Sequence, residues 1–404
     1  MRSMRLIDNL FEIINLVQLY MMSIYGIFTI LSIIILIHII IFVFRDLKFI
    51  RAVEDNQDPE EVNLKELKEI PLLNIIIPAW NEGENFEKCL KSIKLLTYPK
   101  LNIIVNAGGS QQTLNIANSY KNNKKYKIIY QKKGGGKIKA LNQCLPYVEE
   151  GIIYLVDADV YFTDEIILRM IYPIVNYGEN VTIGGIRPLP NQKKSDLVKY
   201  LSFNYNRRFR EKFERYNKKS ISGANTCISF KVLKEIKSFT VRKKIAEDLS
   251  RGMDVSEKGF KIYQLSDYRA RLHSYFPDKL SLFLSQRIRW NQNALFLHFK
   301  NRNIRIFKYF LGFILSIYVL ISPIFLLYNI SWFLLGLFIV FSYYLLKIRR
   351  LIFYRLAINK KETYSFKFFL KIVAYIYFEQ LINIVTVFEF LFFRKRYKKR
   401  KNLS

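Results

Sequence analysis

The chain has 404 residues, 51% of them hydrophobic, and a formal net charge of +31, a length that holds two or three domains. Cys89, Cys144 and Cys227 stand far apart without a Cys-x-x-Cys spacing, and His38, His273 and His298 have no partner at motif spacing. Neither a disulfide framework, a zinc site nor a histidine-based triad is indicated, and the cysteines read as reduced thiols. Much of the basic excess abuts apolar segments, at 347–350 and 394–401. That placement points to anionic lipid at a membrane surface and away from nucleic acid.

After an amphipathic segment over 1–19, residues 20–44 are almost wholly apolar and long enough to cross a hydrocarbon layer of about 30 Å. The run is too long for a signal-peptide core and reads as an anchor. Residues 45–70 form a charged linker. Residues 307–346 supply two spans as a hairpin, 347–367 a basic connector, and 394–404 a basic tail. The apolar segment 368–393 contains Lys371, Glu379, Gln380, Asn383 and Glu389, which are costly at membrane depth unless turned to protein, water or headgroups. Arg45, Lys48 and Arg51 place the middle of the chain inside. Three C-terminal spans would then put the basic tail outside, so 368–393 is expected to be an interfacial or re-entrant element.

Between residues 71 and 299 short apolar runs alternate with helix-like polar stretches, the pattern of a mostly parallel sheet covered by helices. Leu73–Ile77, Ile103–Val105, Lys127–Tyr130 and Ile152–Val156 read as buried strands, and 81–95 as a helix that Asn81 can cap. Ligands of open α/β sheets bind beyond the carboxyl ends of the strands. Each of the four strands runs into polar residues there: Pro78-Ala-Trp-Asn-Glu82, Asn106-Ala-Gly-Gly-Ser110, Gly134-Gly-Gly-Lys137 and Asp157-Ala-Asp159.

Asp157 and Asp159, two residues apart, can converge on one divalent cation; a solvated turn explains them equally well in isolation. The glycine run before Lys137 lets backbone N–H groups approach an anion, although it is not a Walker A loop and a plain glycine turn has the same composition. Joined to the carboxylates, it would complete a site for a metal-bound diphosphate, with Mg²⁺ or Mn²⁺ as the fitting ions. Glu247-Asp248 opens a helix-like stretch, as a capping pair or as the general base for a hydroxyl nucleophile. Gln286-Arg-Ile-Arg289-Trp290 is a basic interfacial belt with a Trp anchor, or sets Arg289 on a diphosphate and Trp290 on a sugar ring.

In this order the motifs resemble those of the membrane-integrated glycosyltransferases of family 2, the inverting group that includes the cellulose, chitin and hyaluronan synthases and the polyprenyl-phosphate sugar transferases. The similarity covers about Leu73 to Trp290 and includes a Ser222-Gly223 loop resembling the acceptor-side motif. The resemblance implies an α/β GT-A domain combined with transmembrane helices at both ends, a nucleotide-diphosphate sugar donor and a divalent metal. It implies Asp248 as base and Asp159 with Asp157 on the metal. Pro78, Glu82, Asn106, Lys137, Asp157 and Arg289 would lie on the donor nucleotide and diphosphate, and Ser222, Gly223, Glu247, Gln286 and Trp290 on the acceptor side. One departure stands out: relatives carry an acidic Asp-Asp-Gly-Ser segment where this chain has Asn106-Ala-Gly-Gly-Ser110, so Asn106 is expected to substitute with a neutral hydrogen bond.

The expected activity is sugar transfer to a polysaccharide or glycan acceptor at the cytoplasmic face of the cell membrane, with single-sugar transfer to a polyprenyl phosphate or other lipid as the runner-up. A non-catalytic sugar-nucleotide scaffold has only the altered 106–110 segment in its favour, and a transporter lacks sufficient spans.

Overall fold

The computed structural model describes residues 61–132, 136–193, 195–205, 221–240, 247–265, 267–300, 304, 306–321 and 365–392, with isolated positions within 12–47 and 334–349. Apart from those positions, the anchor at 20–44, the linker up to residue 60, the second half of the 307–346 hairpin, most of the basic connector and the tail lie outside the described residues.

The domain begins as repeated strand–helix units: β1 (Leu73–Trp80), α1 (Glu84–Lys94), β2 (Leu101–Gly108), α2 (Gln111–Asn118), β3 (Tyr126–Tyr130), α3 (Gly136–Cys144) and β4 (Ile152–Leu155). It continues through β5 (Val160–Tyr161), α4 (Asp164–Tyr177), β6 (Val181–Ile183), β7 (Ile186–Pro188), α5 (Asp196–Tyr205), β8 (Thr226–Ser229), α6 (Phe230–Ile236), α7 (Glu247–Glu257), β9 (Tyr263–Gln264) and β10 (Leu272–Ser274). Three helices close the described chain: α8 (Leu280–Lys300), α9 (Ile306–Ile321) and α10 (Phe366–Phe392).

The main sheet has the order β3-β2-β1-β4-β8-β6-β9, and a small second sheet the order β5-β10-β7. β1 pairs in parallel with β2 and β4, as β2 does with β3, whereas β8 runs antiparallel to both β4 and β6. The expected mostly parallel sheet is therefore a mixed one, reversed at a single strand. Strands of two to four residues leave no periodicity to read, which is why β5 to β10 had no sequence signal.

Alternation along β1 builds a three-layer core. Leu73, Ile75, Ile77 and Ala79 pack with Phe86, Leu90 and Ile93 of α1 and with Ile166, Ile167 and Met170 of α4. Ile76 faces the opposite layer, with Ile138 and Leu141 of α3, Val232 of α6 and Val255 of α7. The helices bearing Lys137 and Asp248 thus share one face of the sheet. Pairing of β1 with β4 stops at Ile76↔Leu155, two residues short of Pro78, so the proline removes no bond on that side.

Asn81 does not cap α1. It adopts a left-handed φ of 56°, its N–H donates to the Gly108 carbonyl at 3.0 Å, and Gly83 is the N-cap residue. Ser110 caps α2 by accepting from the Thr113 N–H at 3.2 Å, and the Thr113 hydroxyl in turn both accepts from the Glu82 N–H and donates to its carbonyl. The exits of β1 and β2 are thereby tied together.

α10 runs unbroken for 27 residues, and among the described residues it is the one helix long and apolar enough to cross a membrane by length and composition. Its polar residues face neighbouring helices. Gln380 Oε1 accepts from the Ser316 hydroxyl of α9 at 2.7 Å, Asn383 donates to that hydroxyl at 3.3 Å, and Glu389 bonds Gln292 of α8. Phe366, Leu370, Val373, Tyr377, Leu381 and Phe388 are exposed instead.

Candidate functional site

Successive strands β1, β2 and β3 extend the sheet to one side while β4 adds on the other, which makes the β1/β4 exit the switch point where a crevice opens. Glu82 leaves β1 there. β4 ends at Leu155, so Asp157 and Asp159 lie in the turn before β5, not on the strand itself. The backbone of this turn is held by the Tyr275 N–H, which donates to the Asp159 carbonyl at 3.3 Å.

Lys137, at the start of α3, forms an ion pair with Asp157 and reaches the Gly223 carbonyl at 3.4 Å. Burial alone would lower this lysine's pKa, but Asp157 and Asp248 outweigh burial and Arg251 and hold it above its ordinary value. Burial, then Asp157 and then Glu82 push Asp159 up to about 7. Glu82 is itself raised, by burial and then by Asp157, against the pull of Lys137. Three carboxyl groups in the crevice therefore outnumber the one lysine, and the deficit of positive charge fits a divalent cation. Among the described residues no three carboxylate, histidine or cysteine side chains gather closely enough to hold a metal alone. Asp157 and Asp159 could begin the shell of such a cation, which oxygens of a bound phosphate would complete.

The other wall is the 222–225 loop. Asn225, fully buried, accepts from the Tyr154 hydroxyl of β4 at 2.7 Å and donates to the carbonyls of Gly185 and Ala270 at 2.8 and 3.0 Å. Ser222 is buried, and its carbonyl accepts from Thr226 Oγ1. Gly223 lies against Asp248: a Cβ there would stand 2.7 Å from both carboxylate oxygens. Asp248, in the first turn of α7, is held from below by Arg251, whose Nη2 donates to Oδ1 at 2.6 Å. Asp248 is half-exposed and Glu247 exposed. Neither Asn225 nor Arg251 carried a sequence signal beyond its neighbours; an asparagine two residues after Gly223 and an arginine one turn after an aspartate are ordinary in composition.

At the β2 exit Asn106 is fully buried, and its amide donates to Ala140 O at 3.0 Å and Gln143 Oε1 at 2.8 Å, both on α3. Its amide hydrogens brace the helix that carries Lys137. The two glycines have steric reasons. A Cβ on Gly108 would meet the Gln131 carbonyl at 2.8 Å and the Trp80 ring at 2.9 Å, and one on Gly109, at φ 88°, would meet Asn81 at 2.7 Å. The Trp80 indole thus lies close over Gly108 and Gly109. Pro78 sits opposite Asn106 in the β1/β2 register.

Gln286, Arg289 and Trp290 lie on α8, Gln286 partly buried and the other two exposed. Arg287 stacks on Trp290 at 5.2 Å and on Phe283 at 5.7 Å. Arg289 makes no bond to the Lys137–Asp157 pair. The structure gathers Glu82, Lys137, Asp157, Asp159, Gly223 and Asp248, and leaves the α8 group outside that contact set.

Residues 74–237 match the sequence profile of Glycosyl transferase family 2. They form a glycosyl transferase family 2 domain. Among curated relatives, the poly-beta-1,6-N-acetyl-D-glucosamine synthase of Staphylococcus epidermidis is 26% identical over 244 residues, 57% of this chain and 56% of the relative. That of Staphylococcus aureus (strain COL) is 25% identical over 248 residues, 59% of this chain and 57% of the relative. The chain therefore spans little more than half the length of these synthases. In fold the family 2 domain and its flanking helices are similar to a mannosyltransferase from Pyrobaculum calidifontis solved with GDP-Man and Mn²⁺, with a TM-score of 0.51 and 13% identity, over 89% of this chain and 99% of that one. The fold is GT-A-like; the likeness in fold carries nothing about activity or substrate.

Proposed function

We propose that the chain is an inverting, metal-dependent glycosyltransferase that moves a sugar from a nucleotide-diphosphate donor to a growing polysaccharide or glycan at the cytoplasmic face of the membrane. The observation that carries this reading is the bridge made by Lys137, which pairs with Asp157 on one side and reaches the Gly223 carbonyl, beside Asp248, on the other. One lysine for a diphosphate and one carboxylate for a proton lie a single residue apart. In the proposed step an acceptor hydroxyl attacks the anomeric carbon, its proton passes to Asp248, and the bond to the diphosphate breaks with the electron pair leaving on the nucleotide. Lys137 steadies the departing phosphate charge. A divalent cation held by Asp157 and Asp159 would neutralise the same leaving group.

The names of the synthase relatives make a nucleotide-activated N-acetyl-D-glucosamine the first donor to test. Membrane placement is supported by the polarity of α10, whose polar residues bond α8 and α9 while its exposed stripe is apolar, the arrangement a helix adopts when its solvent is lipid. We therefore read α10 as spanning; a reporter fused to the C-terminus distinguishes spanning from interfacial placement.

Membranes carrying the full chain are incubated with radiolabelled donors and Mn²⁺. A ladder of product lengths is expected; a single organic-soluble product would replace polymerisation by transfer to a lipid. Asp248→Asn should keep donor binding and lose transfer by about 10³-fold, within the usual range for a missing general base. Near wild-type turnover in that variant would remove Asp248 from the mechanism.

A further inference from the structure

Arg251 is unusual on packing grounds. In α7 it shares a face with Asp248 and Val255, at spacings of three and four residues, and Val255 is fully buried in the core layer beneath the sheet. Position 251 is thus a core position, and Arg251 heads the fully buried side chains by volume. Only its Nη2 is engaged, on Asp248 Oδ1; Nε and Nη1 are buried without a hydrogen-bond partner. A buried cation with two unmade bonds is destabilising, and an aliphatic side chain would pack there at lower cost. Local rules broken in this way concentrate at functional sites. The charge that compensates Arg251 is that of Asp248, a residue open to the crevice on its other side. Across from it Gly223 leaves no room for a side chain, since a Cβ there would stand 2.7 Å from both carboxylate oxygens. The carboxylate is clamped between a guanidinium below and a glycine beside it.

We infer that Arg251 is a positioning residue for the transfer reaction: from beneath the site it holds the Asp248 carboxylate against the Gly223 wall as an ionised proton acceptor, touching neither donor nor acceptor itself. This rests on the reading of Asp248 as the base. Arg251 differs from Lys137 in being inaccessible, so it contributes to the base and not to phosphate binding. Its loss should leave the donor's KM nearly unchanged.

The test compares Arg251→Gln and Arg251→Lys with the wild type, in membranes containing the full chain, by kcat, donor KM and the pH dependence of kcat. For Arg251→Gln, kcat should fall about 10²-fold, the scale of a misplaced catalytic group, with donor KM within about twofold. The acidic limb of the profile should move upward by about one pH unit, because a carboxylate that loses a cationic partner is harder to ionise. Arg251→Lys, which keeps the charge without the planar fork, should recover about tenfold and most of the pH shift. An unmoved acidic limb with kcat within threefold of wild type in both variants overturns the inference. Should Arg251→Gln fail to bind donor, the Lys variant decides: wild-type kcat and wild-type pH profile there overturn it as well. Asp248→Asn keeps the two claims separate. Turnover by that variant defeats the base assignment, whereas an inactive Asp248→Asn beside wild-type-like Arg251 variants defeats the positioning role alone.

Discussion

Gly223→Ala is a direct test of the geometry at Asp248. No left-handed backbone conformation protects this glycine, so alanine strains nothing locally and acts only through its added methyl. That methyl would stand 2.7 Å from both Asp248 oxygens, whereas ordinary contact begins near 3.4 Å, so the carboxylate must retreat by about 0.7 Å. Asp248 cannot simply swing, because Arg251 holds Oδ1 at 2.6 Å and the Ile221 N–H donates to the Asp248 backbone carbonyl at 3.3 Å. A misplacement of about 1 Å at a reacting group costs on the order of 10²-fold in rate, or about 2.7 kcal/mol of barrier. Donor binding should change little, since Asp159 and Lys137 approach from other elements. Transfer of radiolabelled sugar by purified membranes gives kcat, and donor KM serves as the control for a folded site. A kcat within twofold of wild type would refute the close approach of Gly223 to the base.

Two further outcomes follow from the crevice and its floor. Asp159, raised from 3.8 to about 7 in the metal-free protein, retains its proton in the fold at pH values where the unfolded chain has released it. That contribution to stability is present at low pH and lost as pH climbs toward 7, and a cation that requires the ionised form offsets the loss. Thermal stabilisation by Mn²⁺ should therefore grow from pH 6 to pH 8, with apparent affinity rising up to about tenfold per unit below 7. Asp159→Asn should flatten this slope, and an unchanged slope in that variant would assign the proton to another group. Restoring an acid at the β2 exit by Gly108→Asp should cost about 1–3 kcal/mol of stability in denaturant melts, the range for overpacking. Its Cβ meets the Gln131 carbonyl as well as Trp80, so adding Trp80→Ala should recover only part of the loss. A fully stable Gly108→Asp single variant would show that the floor yields.

Much of the site was legible in local sequence because its pieces are strand exits. The apolar runs of β1 to β4 announce themselves by composition, and polar residues at their carboxyl ends mark the crevice. Asp157 and Asp159 lie past the strand end as expected, and β4 stops at Leu155, one residue before the end of the apolar run. The surroundings of Asn106 were not legible for a related reason. Its type suggested a ligand contact, but whether a strand residue faces a crevice or a helix depends on what packs against it, and here α3 takes both amide hydrogens.

The sequence by itself determined which residues carry charge, where backbone must be glycine-lean or glycine-rich, and which segments are apolar enough for lipid, because those are properties of short stretches. Tertiary structure alone decided that β8 reverses the sheet, that Lys137 spans the interval between Asp157 and the Gly223 wall, and that Arg251 lies buried beneath Asp248. It also decided that the polar residues of α10 face other helices. Each of these joins groups distant in the chain, and nothing in local propensity encodes which neighbour a buried charge will meet.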